Sequence, residues 1–107
     1  MKSEGRVEIK HLRTWGTVCD NNWDLNDGHV ACRTLGYSGA VQVSKNATYG
    51  RGRGKIWLDN VRCTGNETKL TSCPHNGWRS HHHCTHSQDA GVKCAGVQKY
   101  LLLLFFN

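Results

Sequence analysis

Six cysteines, seven histidines and eight carboxylates are the residues of this 107-residue chain whose types could carry chemistry. Thiolates and imidazoles hold soft metals, paired cysteines oxidise to disulfides, and carboxylates with amide oxygens hold calcium. The cysteines stand at positions 19, 32, 63, 73, 84 and 94, with no CxxC pair, and the gaps of 13, 31, 10, 11 and 10 fit neither a zinc finger nor a zinc ribbon. An even count in a short chain with 37% apolar residues reads instead as a disulfide scaffold, the device of small secreted domains with a thin core. Fifteen pairings are open at this point. His81-His82-His83, with His75 and His86 nearby in sequence, offers adventitious zinc or copper capture, or extra positive charge in acid compartments, because adjacent loop residues seldom converge on one ion. No nucleophile elbow, HExxH or phosphate loop appears, and with the thiols assigned to bridges no nucleophilic cysteine remains, so the chain reads as non-enzymatic.

Charge points to a class of partner. Fourteen Lys and Arg against eight Asp and Glu give a net charge of +6. A cluster of cations alternates with glycine in Tyr49-Gly50-Arg51-Gly52-Arg53-Gly54-Lys55, where flexible glycines are expected to leave Arg51, Arg53 and Lys55 exposed. A second basic set, Arg6, Lys10 and Arg13, lies near Glu8. Such faces attract polyanions in a salt-dependent way, nucleic acid included, but without sequence preference. Asn46-Ala47-Thr48 and Asn66-Glu67-Thr68 are N-glycosylation acceptors and point to the secretory route.

The elements that must position these residues are those of a small α+β domain. Gly5 to Lys10 alternates apolar and polar residues, the period of a half-buried strand, with Arg6, Glu8 and Lys10 on one face and Val7 and Ile9 on the other. Thr14 to Val18 reads as its hairpin partner. Asp24 offers an N-cap with Asp27 three positions on, Val30, Ala31 and Leu35 share a face, and Gly36 marks the stop of one helix. Gly28 inside that helix costs about 1 kcal/mol relative to Ala. Ile56 to Val61 is expected as a strand and Glu67 to Ser72 as a short helical turn before Pro74. Trp15, Trp23, Trp57 and Trp78 read as packing residues rather than ligand platforms, since the domain is short of apolar area.

The segments around the cysteines are Trp15-Gly16-Thr17-Val18-Cys19-Asp20, Val30-Ala31-Cys32-Arg33-Thr34-Leu35-Gly36-Tyr37, Ile56-Trp57-Leu58-Asp59-Asn60-Val61-Arg62-Cys63, Cys73-Pro74-His75-Asn76-Gly77-Trp78 and Asp89-Ala90-Gly91-Val92-Lys93-Cys94. In this order they resemble the scavenger receptor cysteine-rich (SRCR) domain of the six-cysteine kind. The resemblance covers residues 4–95. It implies a curved antiparallel sheet cradling one helix, with Cys19 bridged to Cys84, Cys32 to Cys94 and Cys63 to Cys73. It implies an extracellular ligand-binding module, secreted or part of an ectodomain, that recognises polyanions, microbial-surface polysaccharide or a protein partner. In several members the opening strand, or arginines on it, is implicated in that recognition. SRCR domains also decorate proteases and amine oxidases, so the alternative is an accessory, non-catalytic module of a larger secreted enzyme.

The resemblance also implies cation sites, from which this chain departs. Where many members carry two adjacent acids after the WGTVC motif and a Glu before DAG, this chain has Asp20-Asn21 and Gln88-Asp89. A second locus would use Asp59 and His83, and the imidazole would turn an oxygen site toward softer metals. Calcium prefers carboxylate-rich shells, so binding is expected to be weak, no cofactor is required, and Asp20 and Asp59 are expected to cap loops. Both ends read as cuts: no apolar signal segment precedes Glu4, the family's first strand looks truncated, and the sheet edge is expected to be left unpaired. Residues 96–107 read as a non-domain tail whose apolar run, Leu101 to Phe106, is too short to span a bilayer and has the look of an artefact of fragmentation.

Overall fold

The computed structural model describes residues 3–78 and 83–98. Two three-stranded sheets and one helix are formed from β1 (Glu4–Arg6), β2 (Glu8–His11), β3 (Thr14–Val18), α1 (Leu25–Thr34), β4 (Gly39–Ser44), β5 (Lys55–Leu58) and β6 (Gly91–Ala95), with 3-10 turns at Leu70–Ser72 and His86–Gln88. One sheet runs β1-β6-β4, all antiparallel, and the other runs β2-β3-β5, with β3 and β5 parallel. The expected α+β class, with its single helix, is what forms.

The opening segment departs from expectation. It is not one strand but two, parted at buried Val7: Glu4–Arg6 pairs with β6, and Glu8–His11 pairs with β3. One side of β6 is therefore covered by β1, which itself forms the edge of that sheet. The Val7 amide donates to the Ala90 carbonyl at 3.0 Å and the Ala90 amide to the Val18 carbonyl at 2.8 Å, so the chain crosses from one sheet to the other without losing its backbone partners.

Helix α1 starts as its sequence directs. Asp24 accepts from the Asp27 amide at 3.1 Å, and Asp27 accepts from the Asp24 amide at 2.8 Å, a reciprocal capping box. Its other oxygen accepts from the Cys63 amide, which ties the helix to the loop closed by Cys63 and Cys73. Val18, Trp23, Val30, Leu58, Val61 and Val92 fill the core between helix and sheets. Trp23 and Trp57 are buried and Trp78 packs against the core, but Trp15 is 51% exposed, contrary to the packing role expected of it. The strand expected over Ile56 to Val61 forms as β5 and ends at Leu58, short of Val61, and β4 had no clear signal in the sequence.

The three disulfides pair Cys19 with Cys84, Cys32 with Cys94 and Cys63 with Cys73. On the chain-entropy account, bridges separated by 65 and 62 residues contribute about 4 kcal/mol each and the one separated by 10 about 3 kcal/mol. Beyond the expected boundary at Ala95, Gln98 is buried and its Nε2 donates to the Leu35 carbonyl at 2.9 Å. Among the described residues no helix is long and apolar enough to cross a membrane. His81, His82 and the apolar run 101–106 lie outside the described residues.

Candidate functional site

The glycine-arginine segment is held by alternate residues. The Gly50 carbonyl accepts from Arg6 Nη1 at 3.1 Å, the Gly52 amide donates to Asp89 Oδ2 at 2.7 Å, and the Gly54 carbonyl lies 3.0 Å from His86 Nε2. Between these anchors Arg51 and Arg53 are exposed, and Lys55 is half-buried at the start of β5. The glycines are therefore not a source of looseness. A Cβ on Gly52 would lie 2.5 Å from Thr17 Cγ2, so the loop approaches β3 only because residue 52 is bare, while Gly50 and Gly54 supply the positive φ of 99° and 76° that the turns on either side need.

Pleating places more cations beside this loop. Lys10 pairs with Trp15 and Glu8 with Thr17 across β2 and β3, and residues two apart on a strand share a face. Thr17 lies under Gly52, so Lys10 and Trp15 continue the same face away from the loop. Both are exposed. Leu12 and Arg13 form the two-residue hairpin turn, with φ of 51° and 65°. Such a turn needs positive φ at both positions and ordinarily takes Asn-Gly, so the backbone here is strained, and it holds Leu12 77% exposed beside exposed Arg13. The hairpin is braced from below: Trp57 Nε1 donates to the Thr14 carbonyl at 2.9 Å, and the His11 ring stacks on Trp78 with centroids 3.8 Å apart.

Arg6 stands apart from the other cations named from the sequence. Its guanidinium bonds Glu8 Oε2 at 2.7 Å and the Gly50 carbonyl, which makes it a fastener between the opening segment and the loop and not a free cation. Because the segment breaks at Val7, Arg6 and Lys10 also belong to different sheets. Asp89 and His86, which sequence reasoning did not assign to the basic loop, are its other fasteners. His86 Nδ1 lies 3.0 Å from Asp89 Oδ2, whose side chain is fully buried. Nothing in their spacing marks them, since the bonds join positions 37 and 32 residues apart.

Three of the five candidate cation ligands spend an oxygen on hydrogen bonds within the protein. Asp20 Oδ2 accepts from the Asn46 amide at 2.8 Å, Asp59 Oδ1 from Asn21 Nδ2 at 3.0 Å, and Gln88 Oε1 from the Thr85 amide at 3.3 Å. His83 is exposed. Among the described residues the groups of three metal-type side chains are Cys19, Asp59, Cys84 and Cys63, Glu67, Cys73, and in each the sulfurs are oxidised to a disulfide and offer no thiolate. Asp20 thus caps the loop at Asn46 as expected, whereas the Asp59 carboxylate bonds the Asn21 side chain and no loop amide among the described residues. Asn46 and Asn66 are both exposed.

Comparison with known proteins agrees with this architecture. The scavenger receptor cysteine-rich domain profile matches residues 1–95. Galectin-3-binding protein of Rattus norvegicus is 51% identical over 102 residues, which is 95% of this chain and 18% of that protein. Lysyl oxidase homolog 2A of Danio rerio is 52% identical over 91 residues, which is 85% of this chain and 12% of that protein. Among solved structures, the dimeric form of the SRCR domain of mouse MARCO superposes with a TM-score of 0.79 at 48% identity, covering 86% of each chain. The third SRCR domain of murine neurotrypsin gives 0.80 at 45% identity, covering 91% of this chain and 90% of that one. The chain spans less than a fifth of the curated relatives' length, so what it shares with a binding protein and with oxidase homologs alike is a module and not their whole activity. With three disulfides, one helix and the same overall course as those structures, this chain belongs to the scavenger receptor cysteine-rich domain family.

Proposed function

We propose that this domain is an extracellular, non-catalytic binding module that captures polyanions, microbial-surface polysaccharide among them, through the face carrying Lys10, Arg13, Arg51, Arg53 and Lys55. The observation that carries this reading is the alternation in the loop: Gly50, Gly52 and Gly54 are bonded inward by Arg6, Asp89 and His86, while Arg51 and Arg53 stand exposed. A backbone anchored in this way loses little freedom on binding, and a net charge of +6 speeds encounter with a polyanion. Exposed Trp15 beside Lys10 adds a flat apolar surface on which a sugar ring can lie. In this reading the basic face suffices and calcium contributes weakly, since Asp20 and Asp59 each already spend one carboxylate oxygen on a bond within the protein. Glycans on Asn46 and Asn66 belong to the same secretory reading.

The test is binding of the oxidised domain to immobilised heparin and to bacterial surface polysaccharide across a salt series, with millimolar calcium and with chelator. Binding that weakens steeply with salt and ignores calcium is expected. Absence of binding to both would sink the polyanion reading. A protein ligand on the same face is the alternative that galectin-3-binding protein brings to mind by name, and the lysyl oxidase homologs favour a second reading, an accessory module that docks a larger secreted enzyme onto its target. Under that reading the isolated domain binds the enzyme's macromolecular target and leaves heparin alone.

A further inference from the structure

A polar groove of about 500 Å³ lies between α1, the start of β4 and the turn at Thr64 to Asn66, and shares no lining residue with the basic loop. Its wall includes Asn26, His29, Arg33, Ser38, Gly65 and Asn66, and no carboxylate lines it. The nearby acid, Glu67, is folded back on its own turn, accepting from the amides of Thr64 and Gly65 and from the Thr64 hydroxyl. What remains on the wall is rich in donors. The Ala40 amide donates to His29 Nδ1 at 2.9 Å, which puts the ring proton on Nε2, and that N–H has no partner among the described residues. Arg33 spends Nη2 on the carbonyls of Gly65 and Glu67, leaving its other N–H groups over. The turn reaches the helix closely because residue 65 lacks a side chain: a Cβ there would lie 3.1 Å from Asn26 Oδ1, at φ of 107°.

Asn66 on this wall is also the acceptor of the sequon Asn66-Glu67-Thr68, and it is exposed. We propose that the groove is the seat of the innermost N-acetylglucosamine of a glycan on Asn66, folded back so that its acetamide carbonyl and hydroxyls accept from His29 Nε2 and Arg33. A sugar attached to the wall faces the groove at high effective concentration, so bonds too weak to retain the free sugar suffice. An acceptor-rich, uncharged ligand also suits a donor-rich wall without acids. Seated there, the sugar braces α1 against the loop closed by Cys63 and Cys73, two parts otherwise joined by Asp27, by Arg33 and by the Thr34 hydroxyl on the Thr68 carbonyl.

The experiment uses the full chain secreted from animal cells as the Thr48→Ala variant, which removes the other sequon. Three forms are compared: with its whole glycan, trimmed enzymatically to one N-acetylglucosamine, and without glycan as Thr48→Ala/Thr68→Ala. Mass spectrometry is expected to find Asn66 occupied. The trimmed form is expected to melt with the intact one, both roughly 4 °C above the unglycosylated form. In the trimmed form the acetamide methyl is expected to show nuclear Overhauser contacts to the His29 ring. An unoccupied Asn66, equal melting of all three forms, a trimmed form that melts with the unglycosylated one, or a sugar without contacts to His29 would each overturn the proposal. None of these outcomes touches the polyanion reading, which rests on other residues.

Discussion

The buried carboxylate of Asp89 accepts the amide of Gly52 at 2.7 Å, joining the end of the last 3-10 turn to the centre of a loop 37 residues away. Through this bond the basic loop is fastened to the floor of the domain and does not wave above it. Replacing Asp89 with Ala would leave the Gly52 amide and His86 without their partner, a cost of about 3 kcal/mol. Urea denaturation should show that loss. At temperatures where the variant stays folded, heparin affinity should fall as well, although no cation has been removed. A variant that binds like the parent would mean that Arg6 and His86 suffice to hold the loop.

Changing Arg51, Arg53 and Lys55 together to Gln should leave the fold intact, because the two arginines are exposed and bond nothing that the core needs. Each lost anion contact lowers the slope of log affinity against log salt by about 1, so a drop of about 2 to 3 is expected in a heparin titration. Arg6→Ala should behave differently. Its pair with Glu8 is partly buried and its bond to Gly50 ties down the loop, so stability drops by about 1 kcal/mol while the salt slope changes less. Equal slopes in the parent and the triple variant would move the binding face elsewhere.

Two carboxylates give stability opposite dependences on pH. Burial pushes Asp27 up to about 6 from 3.8, so its ionised form opposes folding above pH 6 and the penalty is relieved as pH falls toward 4. Glu67, held by the Thr64 amide first and then by the Thr64 hydroxyl and Gly65 amide, is lowered to about 2 from 4.5. Its contribution is present above pH 4.5 and is lost as pH falls toward 2. Urea midpoints from pH 2.5 to 7.5 should therefore show the gap between the parent and Asp27→Asn changing between pH 4 and 7, and the gap to Glu67→Gln closing below pH 4.5. Gaps that stay constant across the range would refute these assignments.

Asp20 separates a capping role from a cation site. If its carboxylate serves the Asn46 amide, Asp20→Ala lowers stability by about 1 kcal/mol in calcium and in chelator alike. A parent domain whose melting temperature rises with millimolar calcium, and a variant in which that rise is gone, would restore the cation site.

Much of the fold was legible in local chemistry. Asp24 and Asp27 announced the start of α1, Gly36 its end, and the alternation around Val7 and Ile9 the opening strands. The Cys32–Cys94 bridge, which the family resemblance implied and local chemistry did not, fastens the helix to β6. Gly28 was less well served by local reasoning: it reads as a cost to the helix, yet a Cβ there would lie 2.4 Å from Val43 Cγ1, so its bareness lets helix and sheet approach. The break at Val7 was equally hidden, since period-two patterning continues unchanged across two strands that join different sheets.

Residue types and their order were enough to establish the family, the compartment-type chemistry of paired cysteines and the excess of cations, because each is a property of composition or of neighbours along the chain. Which cations are free was settled in three dimensions. Arg6 and Arg51 look alike in the sequence, but one is bonded to Glu8 and Gly50 while the other is exposed between anchored glycines. Arg6, Asp89 and His86 reach that loop across separations of 44, 37 and 32 residues, and contacts so distant along the chain exist only once helix, sheets and disulfides have brought their ends together.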